Sequence, residues 1–222
     1  MSVITVSRQL GSLGGFVAER AARDLGYHLV DKGTLEAMLN EYGIGRFEEF
    51  GRMPGFWERM DPEKAGIRHN VLDMAAECMR AIARHGDAVI VGRGGFAVLG
   101  ELADVLHVRV QAPLQVRIER IRNQPGFIPV ERAEAALLEN DHDQAAFIKS
   151  VYGRRWERAD AFDLVLDTGK LAPEAAAQFV VEGALALKRA PRGGPKASEL
   201  KVDKLIEAIA LDVLHCGLAH AG

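Results

Sequence analysis

Cysteine is scarce in this sequence. Cys78 and Cys216 are the two present, and they form no C-x-x-C pair. A disulfide framework is therefore excluded, and a reduced, intracellular setting is the simplest expectation. Long apolar runs are missing as well. None approaches the roughly 18 residues that cross a bilayer. The start, MSVITVSRQL, has no charged leader followed by an apolar stretch, so no secretory signal is expected. No charge sign dominates: 28 Lys and Arg stand against 31 Asp and Glu, a net charge of −3. That gives no global pull toward DNA, RNA or anionic lipid. Internal repeats and low-complexity tracts are also absent. These absences point to a cytoplasmic globule with neither a nucleic-acid partner nor a membrane one. With 222 residues, 48% hydrophobic and 27% charged, the chain is long enough to bury a full core without staples.

Short β-branched runs recur along the chain. Val3–Val6, Tyr27–Val30, Ala88–Val91, Val105–Val110 and Leu164–Leu166 read as strands, closed by Ser-Arg, Asp31, Gly92-Arg93-Gly94-Gly95, Ala112-Pro113 and Asp167-Thr168-Gly169. Between them lie helical patterns over 17–25, 34–40, 65–85, 96–102, 114–122, 131–151 and 173–188. Alternating strands and helices predict a three-layer α/β/α fold with a parallel sheet of about five strands. Ligands of such sheets sit beyond the carboxyl ends of the strands, where Arg8–Gly15, Asp31, Gly92–Gly95 and Thr168 all fall.

The segment Ser7-Arg8-Gln9-Leu10-Gly11-Ser12-Leu13-Gly14-Gly15 joins the first strand to the first helix. Glycines let successive N–H groups turn inward, and the helix N-terminus adds partial positive charge, so Gly11, Ser12, Leu13, Gly14 and Gly15 predict a phosphate cradle. The loop departs from G-x-x-x-x-G-K-[ST]. Aligned on Gly11-Ser12, Gly14 stands where the lysine belongs and Gly15 where the Mg²⁺-holding hydroxyl belongs. Arg8 is the nearest substitute cation.

With these residues in view, ITVSRQLGSLGGFVAERAARDLGYHLVDKGTLEAM resembles the opening of the cytidylate kinase-like family, a branch of the P-loop nucleoside monophosphate kinases. AVIVGRGG at 88–95 resembles that family's third strand and its Gly-Arg. NDHDQAAFIKSVYGRRWERADAFDLVLDTGKL at 140–171 resembles its lid and last strand. The likeness implies a kinase-like domain over 1–189, with an acceptor-binding excursion over about 32–85 and a lid over about 122–160. It implies transfer of the γ-phosphoryl of ATP, with Mg²⁺, to CMP or dCMP. Asp31 and Arg93 would hold the acceptor, and Arg117 and Arg120 would approach the donor. Arg8, Lys149 and Arg155 would act on the transferring group, with Arg154 nearby. The family commonly carries an arginine where Gln144 stands, three residues after Asp141.

The residues leave rival readings open. Missing lysine, missing hydroxyl and Gln144 also suit a nucleotide-binding regulatory module that has lost catalysis. The Gly- and aromatic-rich stretch over 43–62 also suits a kinase of some other small acceptor, whose pocket it would reshape, and its Phe47, Phe50, Phe56 and Trp57 suit either base stacking or a small core under a loop. Asp31 doubles as an N-cap for the helix near Thr34. Tyr152 and Trp156 suit either base stacking or a local core. Asp141-His142-Asp143 point apart on a helix and His215, Cys216 and His220 lack a fourth ligand, so no metal site is assigned. Residues 190–197 read as a linker, and 198–222 as a C-terminal amphipathic helix. That helix either folds back on the core or makes a homodimer with a second copy.

Overall fold

Val3 and Ile4 are 1% and 0% exposed, yet they face opposite sides of the sheet. That alternation, continued through Ala88–Val91, divides the core into two layers. The computed structural model describes residues 2–41, 62–123, 130–189 and 193–218. In chain order these form β1 (Val3–Arg8), α1 (Gly14–Leu25), β2 (His28–Val30), α2 (Lys32–Glu41), α3 (Pro62–His85), β3 (Ala88–Val91), α4 (Gly95–Leu99), β4 (Val105–Gln111), α5 (Leu114–Arg122), α6 (Ala133–Tyr152), β5 (Leu164–Asp167), α7 (Pro173–Arg189) and α8 (Lys204–Leu218). The sheet order is β2-β3-β1-β4-β5, and every pairing is parallel. This is the three-layer α/β architecture expected from the strand–helix alternation. Parallel pairing brings all five carboxyl ends to one edge, where Arg8, Asp31, Gly92, Ala112 and Thr168 follow or end their strands.

On one face Val3, Val30, Ala88, Ile90 and Val105 pack against α2 and α3 through Leu35, Met38, Met79 and Ile82. On the other, Ile4, Val6, Val89, Val108 and Val110 meet α1 and α7. Small residues on α1 (Ala18, Ala21, Ala22) face Ala176, Ala177 and Ala184 on α7, so the two helix backbones approach closely. A smaller cluster of Leu72, Phe96, Phe147, Ile148 and Trp156 sits where α6 returns to the sheet.

The helices at Gly14–Leu25, Lys32–Glu41 and Pro62–His85 each begin two or three residues before their sequence patterns, and three further stretches differ in form. The 96–102 pattern yields only Gly95–Leu99, because Gly100 takes φ 55° and ends the turn. The 131–151 pattern starts as a 3₁₀ turn over Val130–Arg132 before α6 begins. The tail splits into a 3₁₀ turn, Ala197–Glu199, and α8. Phe47, Phe50, Phe56, Trp57, residues 190–192 and His220 lie outside the described residues.

Of the two readings of the C-terminal helix, folding back on the core is the one the packing takes. Ile206, Ala210 and Leu214 of α8 are buried in the same cluster as Met38, Leu39 and Met79, and Arg84 pairs with Glu207 at 3.1 Å. The apolar face that would have met a second copy is covered within the chain. Leu214→Ala is expected to destabilise the protein by about 2–5 kcal/mol and to leave its mass in solution unchanged. Denaturant titration and light scattering check both parts.

Candidate functional site

After β1 the chain turns at Gln9–Ser12. The Ser12 N–H and hydroxyl both donate to the Gln9 carbonyl, at 3.2 and 2.8 Å. Ser12 is fully buried, so it builds the loop from inside and does not offer its N–H outward as the loop's composition predicts. Leu13 then takes φ 58° and starts α1 with no side-chain cap and no acidic residue in the first turn. Among the described residues nothing accepts from the N–H groups of Leu13, Gly14, Gly15 or Phe16. These orphan donors, at the positive end of α1, are what an anion requires.

Two arginines expected to touch a donor nucleotide instead hold this loop. Arg117 is 4% exposed. It makes a two-pronged pair with Asp141 of α6, at 3.2 and 2.9 Å, and donates to the Ala112 carbonyl at 3.1 Å. Gln9 Nε2 reaches the same carboxylate at 3.2 Å. With its fork occupied and buried, Arg117 ties α5, α6 and the loop together, and this corrects its assignment as a nucleotide contact. Arg120 donates to the Gly11 carbonyl at 3.2 Å and to the hydroxyl and carbonyl of Thr168 at 3.0 and 2.7 Å. The Thr168 hydroxyl donates in turn to the Ser12 carbonyl at 2.7 Å. The loop is thus fastened to the end of β5.

Beside the loop lies a cavity of about 290 Å³ lined by Arg8, Lys32 and Arg93, with Asn140, Asp143 and Gln144 from α6 opposite. Three cations face one carboxylate there. Arg8 reaches it by crossing Gly14, where a Cβ would stand 2.5 Å from Arg8 Cβ, and by laying its guanidinium on Gly92. Among the described residues no hydrogen bond or ion pair takes that guanidinium. Burial pushes its pKa below the ordinary arginine value and Arg93 pushes the same way, while Asp31 opposes them. Arg93 is lowered by burial and supported by Glu36 and Tyr152. Two half-buried cations are held side by side, and an anion would relieve both. Asp31 caps α2: its Oδ1 accepts from the Thr34 N–H at 3.0 Å and hydroxyl at 3.2 Å. Asp31 is thus a structural residue at the start of α2, and it is not among the residues that line the cavity.

The structure does not bring Lys149, Arg154 or Arg155 to this cavity. Asn140, Gln144, Phe147 and Ile148 line it, and Lys149 is nine residues beyond Asn140, about 180° around the helix, and exposed. Trp156 explains the two arginines. Its ring is 2% exposed, its Nε1 donates to Ser7 Oγ at 2.7 Å, and Arg109 stacks on it at 4.4 Å while donating to its carbonyl. Swinging Trp156 into the core leaves Arg154 and Arg155 outside, and Arg154 lines a separate cavity beside Asp163 and Leu187. Trp156 is core, not a base platform. Sequence reasoning missed Lys32, Asn140 and Asp143, as well as the polar layer under the loop. The one available signal was His107 and Arg109 inside β4, since a central parallel strand is ordinarily apolar throughout.

His107 pairs with its register partner Thr5, whose hydroxyl lies 2.7 Å from Nδ1, while Nε2–H donates to the Gly100 carbonyl. Burial lowers the ring's pKa below its ordinary 6.5, which favours the neutral form. Below pH 6.5 the unfolded chain therefore binds more protons than the folded one. The stability that His107 contributes is complete above 6.5 and is lost as pH falls through the lower folded value, by at most about 1.4 kcal/mol per pH unit. His107→Gln should flatten that part of a stability–pH curve measured by urea unfolding.

A scaffold of this order, with a glycine loop at the end of its central strand, has counterparts among known proteins in both sequence and fold. The chain is 30% identical to the cytidylate kinase of Ignicoccus hospitalis over 182 residues, 81% of this chain and 97% of that one. It is 30% identical to the cytidylate kinase of Methanopyrus kandleri over 177 residues, covering 76% and 85%. An uncharacterized protein from Eubacterium ventriosum of solved structure superposes with a TM-score of 0.62 at 16% identity, covering 84% of this chain and 99% of that one, a likeness of fold. Residues 3–170 match the cytidylate kinase-like family, and the chain belongs to that family.

Proposed function

We propose that this protein transfers the γ-phosphoryl group of ATP to a nucleoside monophosphate, with CMP and dCMP as acceptors. The observation that carries the reading is the Arg8 guanidinium, unpartnered among the described residues, beside Arg93 and Lys32 and one loop away from the free N–H groups that open α1. Together they make two adjoining anion sites on the carboxyl edge of the sheet, one for each phosphate-bearing substrate.

The donor's β- and γ-phosphates fit the N–H groups of Leu13 to Phe16 and the dipole of α1. Arg120 keeps that cradle open by holding the Gly11 carbonyl and Thr168. Mg²⁺ bound to ATP would neutralise charge between its phosphates. The loop itself gives the ion no hydroxyl, because Gly15 has no side chain and the Ser12 hydroxyl is engaged with Gln9. Arg93 and Lys32 would orient the acceptor phosphate, with Asp31 acting on it only through the charge of Arg8. Arg8 lies between the two sites and would stabilise charge on the group in flight, the task the absent loop lysine would have had. Asn140, Asp143 and Gln144 supply hydrogen-bonding groups to the rest of the acceptor.

The test is a coupled assay with ATP, Mg²⁺ and a panel of ribo- and deoxyribonucleoside monophosphates. Turnover greatest with CMP or dCMP is the expected result. Calorimetric binding of ATP with no turnover on any acceptor would instead favour a nucleotide-binding regulatory module, the reading that Gly14 and Gly15 motivate.

A further inference from the structure

Gly92, Arg93 and Gly94 are left-handed in succession, at φ 74°, 52° and 76°. The glycines take this conformation without steric cost, whereas Arg93 crowds its Cβ there. A surrounding contact has to hold such a turn. Backbone bonds fasten its ends, Gly92 N–H to the Val6 carbonyl at 2.9 Å and Gly95 N–H to the Gly92 carbonyl at 3.0 Å, and Tyr152, the last residue of α6, adds the side-chain contact at its middle. Its hydroxyl donates to the Arg93 carbonyl at 3.2 Å, and its ring lies so close to Gly94 that a Cβ at that position would fall on Cε2. The ring is itself pinned edge-on to Phe147, with centroids 6.1 Å apart at 82°, and Phe147 lines the cation-rich cavity. Burial raises the phenol to about 12, so it remains a donor at any working pH.

We infer that Tyr152 is a positioning residue for the acceptor: its hydroxyl and ring hold the Gly92–Gly94 turn in the one conformation that presents the Arg93 guanidinium to the cavity. The inference rests on reading that cavity as the acceptor site. It gives α6 two fastenings, Asp141 to the donor loop and Tyr152 to the acceptor turn. A disturbance at the end of the helix would then be felt by the acceptor and not by the donor.

The test is a double-mutant cycle of Tyr152→Phe and Arg93→Ala in the full chain, read by the KM for CMP and the KM for ATP. Hydrogen exchange over residues 92–97 of the ligand-free protein gives a readout independent of turnover. Tyr152→Phe removes one hydroxyl and keeps the ring. The KM for CMP should rise on the order of fivefold, the KM for ATP should stay unchanged, and exchange over 92–97 should accelerate. In the Arg93→Ala background the same substitution should add nothing. Gly94→Ala, which displaces the ring, should act in the same direction and more strongly. Additive effects in the cycle, or equal shifts of both KM values, overturn the inference. If the wild-type protein turns over no monophosphate, the proposed function fails on its own account. Exchange and calorimetric binding of CMP then judge the latch, and unchanged exchange in Tyr152→Phe overturns it.

Discussion

Arg8→Met should lower kcat/KM by about 10²–10³-fold while leaving the melting temperature at or above that of the wild-type protein. The two halves of this expectation come from the same geometry. The guanidinium lies between the loop that opens α1 and the cavity, with no hydrogen bond or ion pair among the described residues. In the free protein it is desolvated and repelled by Arg93, and Asp31 offsets this only in part. Methionine keeps an unbranched stem over Gly14 and removes the charge, so the folded state loses a repulsion and little packing. In the transition state the sign reverses. Charge spreads over the equatorial oxygens of the moving phosphoryl group, and a fixed cation in a site shielded from water stabilises it by about 3–4 kcal/mol. Steady-state kinetics with ATP and CMP, paired with calorimetric melting, separate the two effects. A variant that melts lower and turns over normally would mean that Arg8 is a structural residue and that the phosphoryl group passes elsewhere.

The same asymmetry marks what could be read from the amino-acid sequence. The five strands were legible, because β-branched runs ending in Ser-Arg, Asp, Gly or Ala-Pro carry their own boundaries, whereas their order in the sheet was not. The strand–loop–helix that opens the chain was legible for the same reason, since glycine spacing between a strand and a helix is local. Pairings across the chain were not. Arg117 and Asp141 are 24 residues apart, and nothing in either segment announces that one guanidinium fork is filled by the other's carboxylate. Arg117 therefore read as a ligand contact when it is a clamp. Lys149 illustrates a different failure. The residues on α6 that face the cavity follow from where Asp141 points, and only the structure supplies that direction. Trp156 decides Arg154 and Arg155 by the same logic: a buried ring sends its neighbours outward. The tail helix was ambiguous because an apolar stripe does not specify its partner, and here Met38, Leu39 and Met79 of the same chain supply it.

Restoring the missing lysine should harm this protein. Gly14→Lys is expected to destabilise it and to cut kcat/KM at least tenfold, although it recreates the residue that most loops of this kind use on the β- and γ-phosphates. The reason is visible in the simpler Gly14→Ala. At a helix start, replacing glycine ordinarily stabilises by about 0.4–1 kcal/mol through the unfolded chain. At position 14, however, the added Cβ stands 2.5 Å from Arg8 Cβ and 3.2 Å from Val110 Cβ. Those atoms are anchored to two central strands and cannot swing aside, so overpacking of about 1–3 kcal/mol outweighs the entropic gain. Gly15 is the internal control. A Cβ there meets nothing within 4 Å, so Gly15→Ala should stabilise by the ordinary amount. Arg8 and a residue larger than glycine at 14 thus compete for one space, and the loop has its cation on the strand side instead of the helix side. The double variant Arg8→Gly with Gly14→Lys clears that space and should recover the stability lost in Gly14→Lys alone. Denaturant unfolding of these four proteins, with initial rates for each, measures both effects. A single Gly14→Lys variant as stable as wild type and faster than it would show that Arg8 does not occupy the lysine's place.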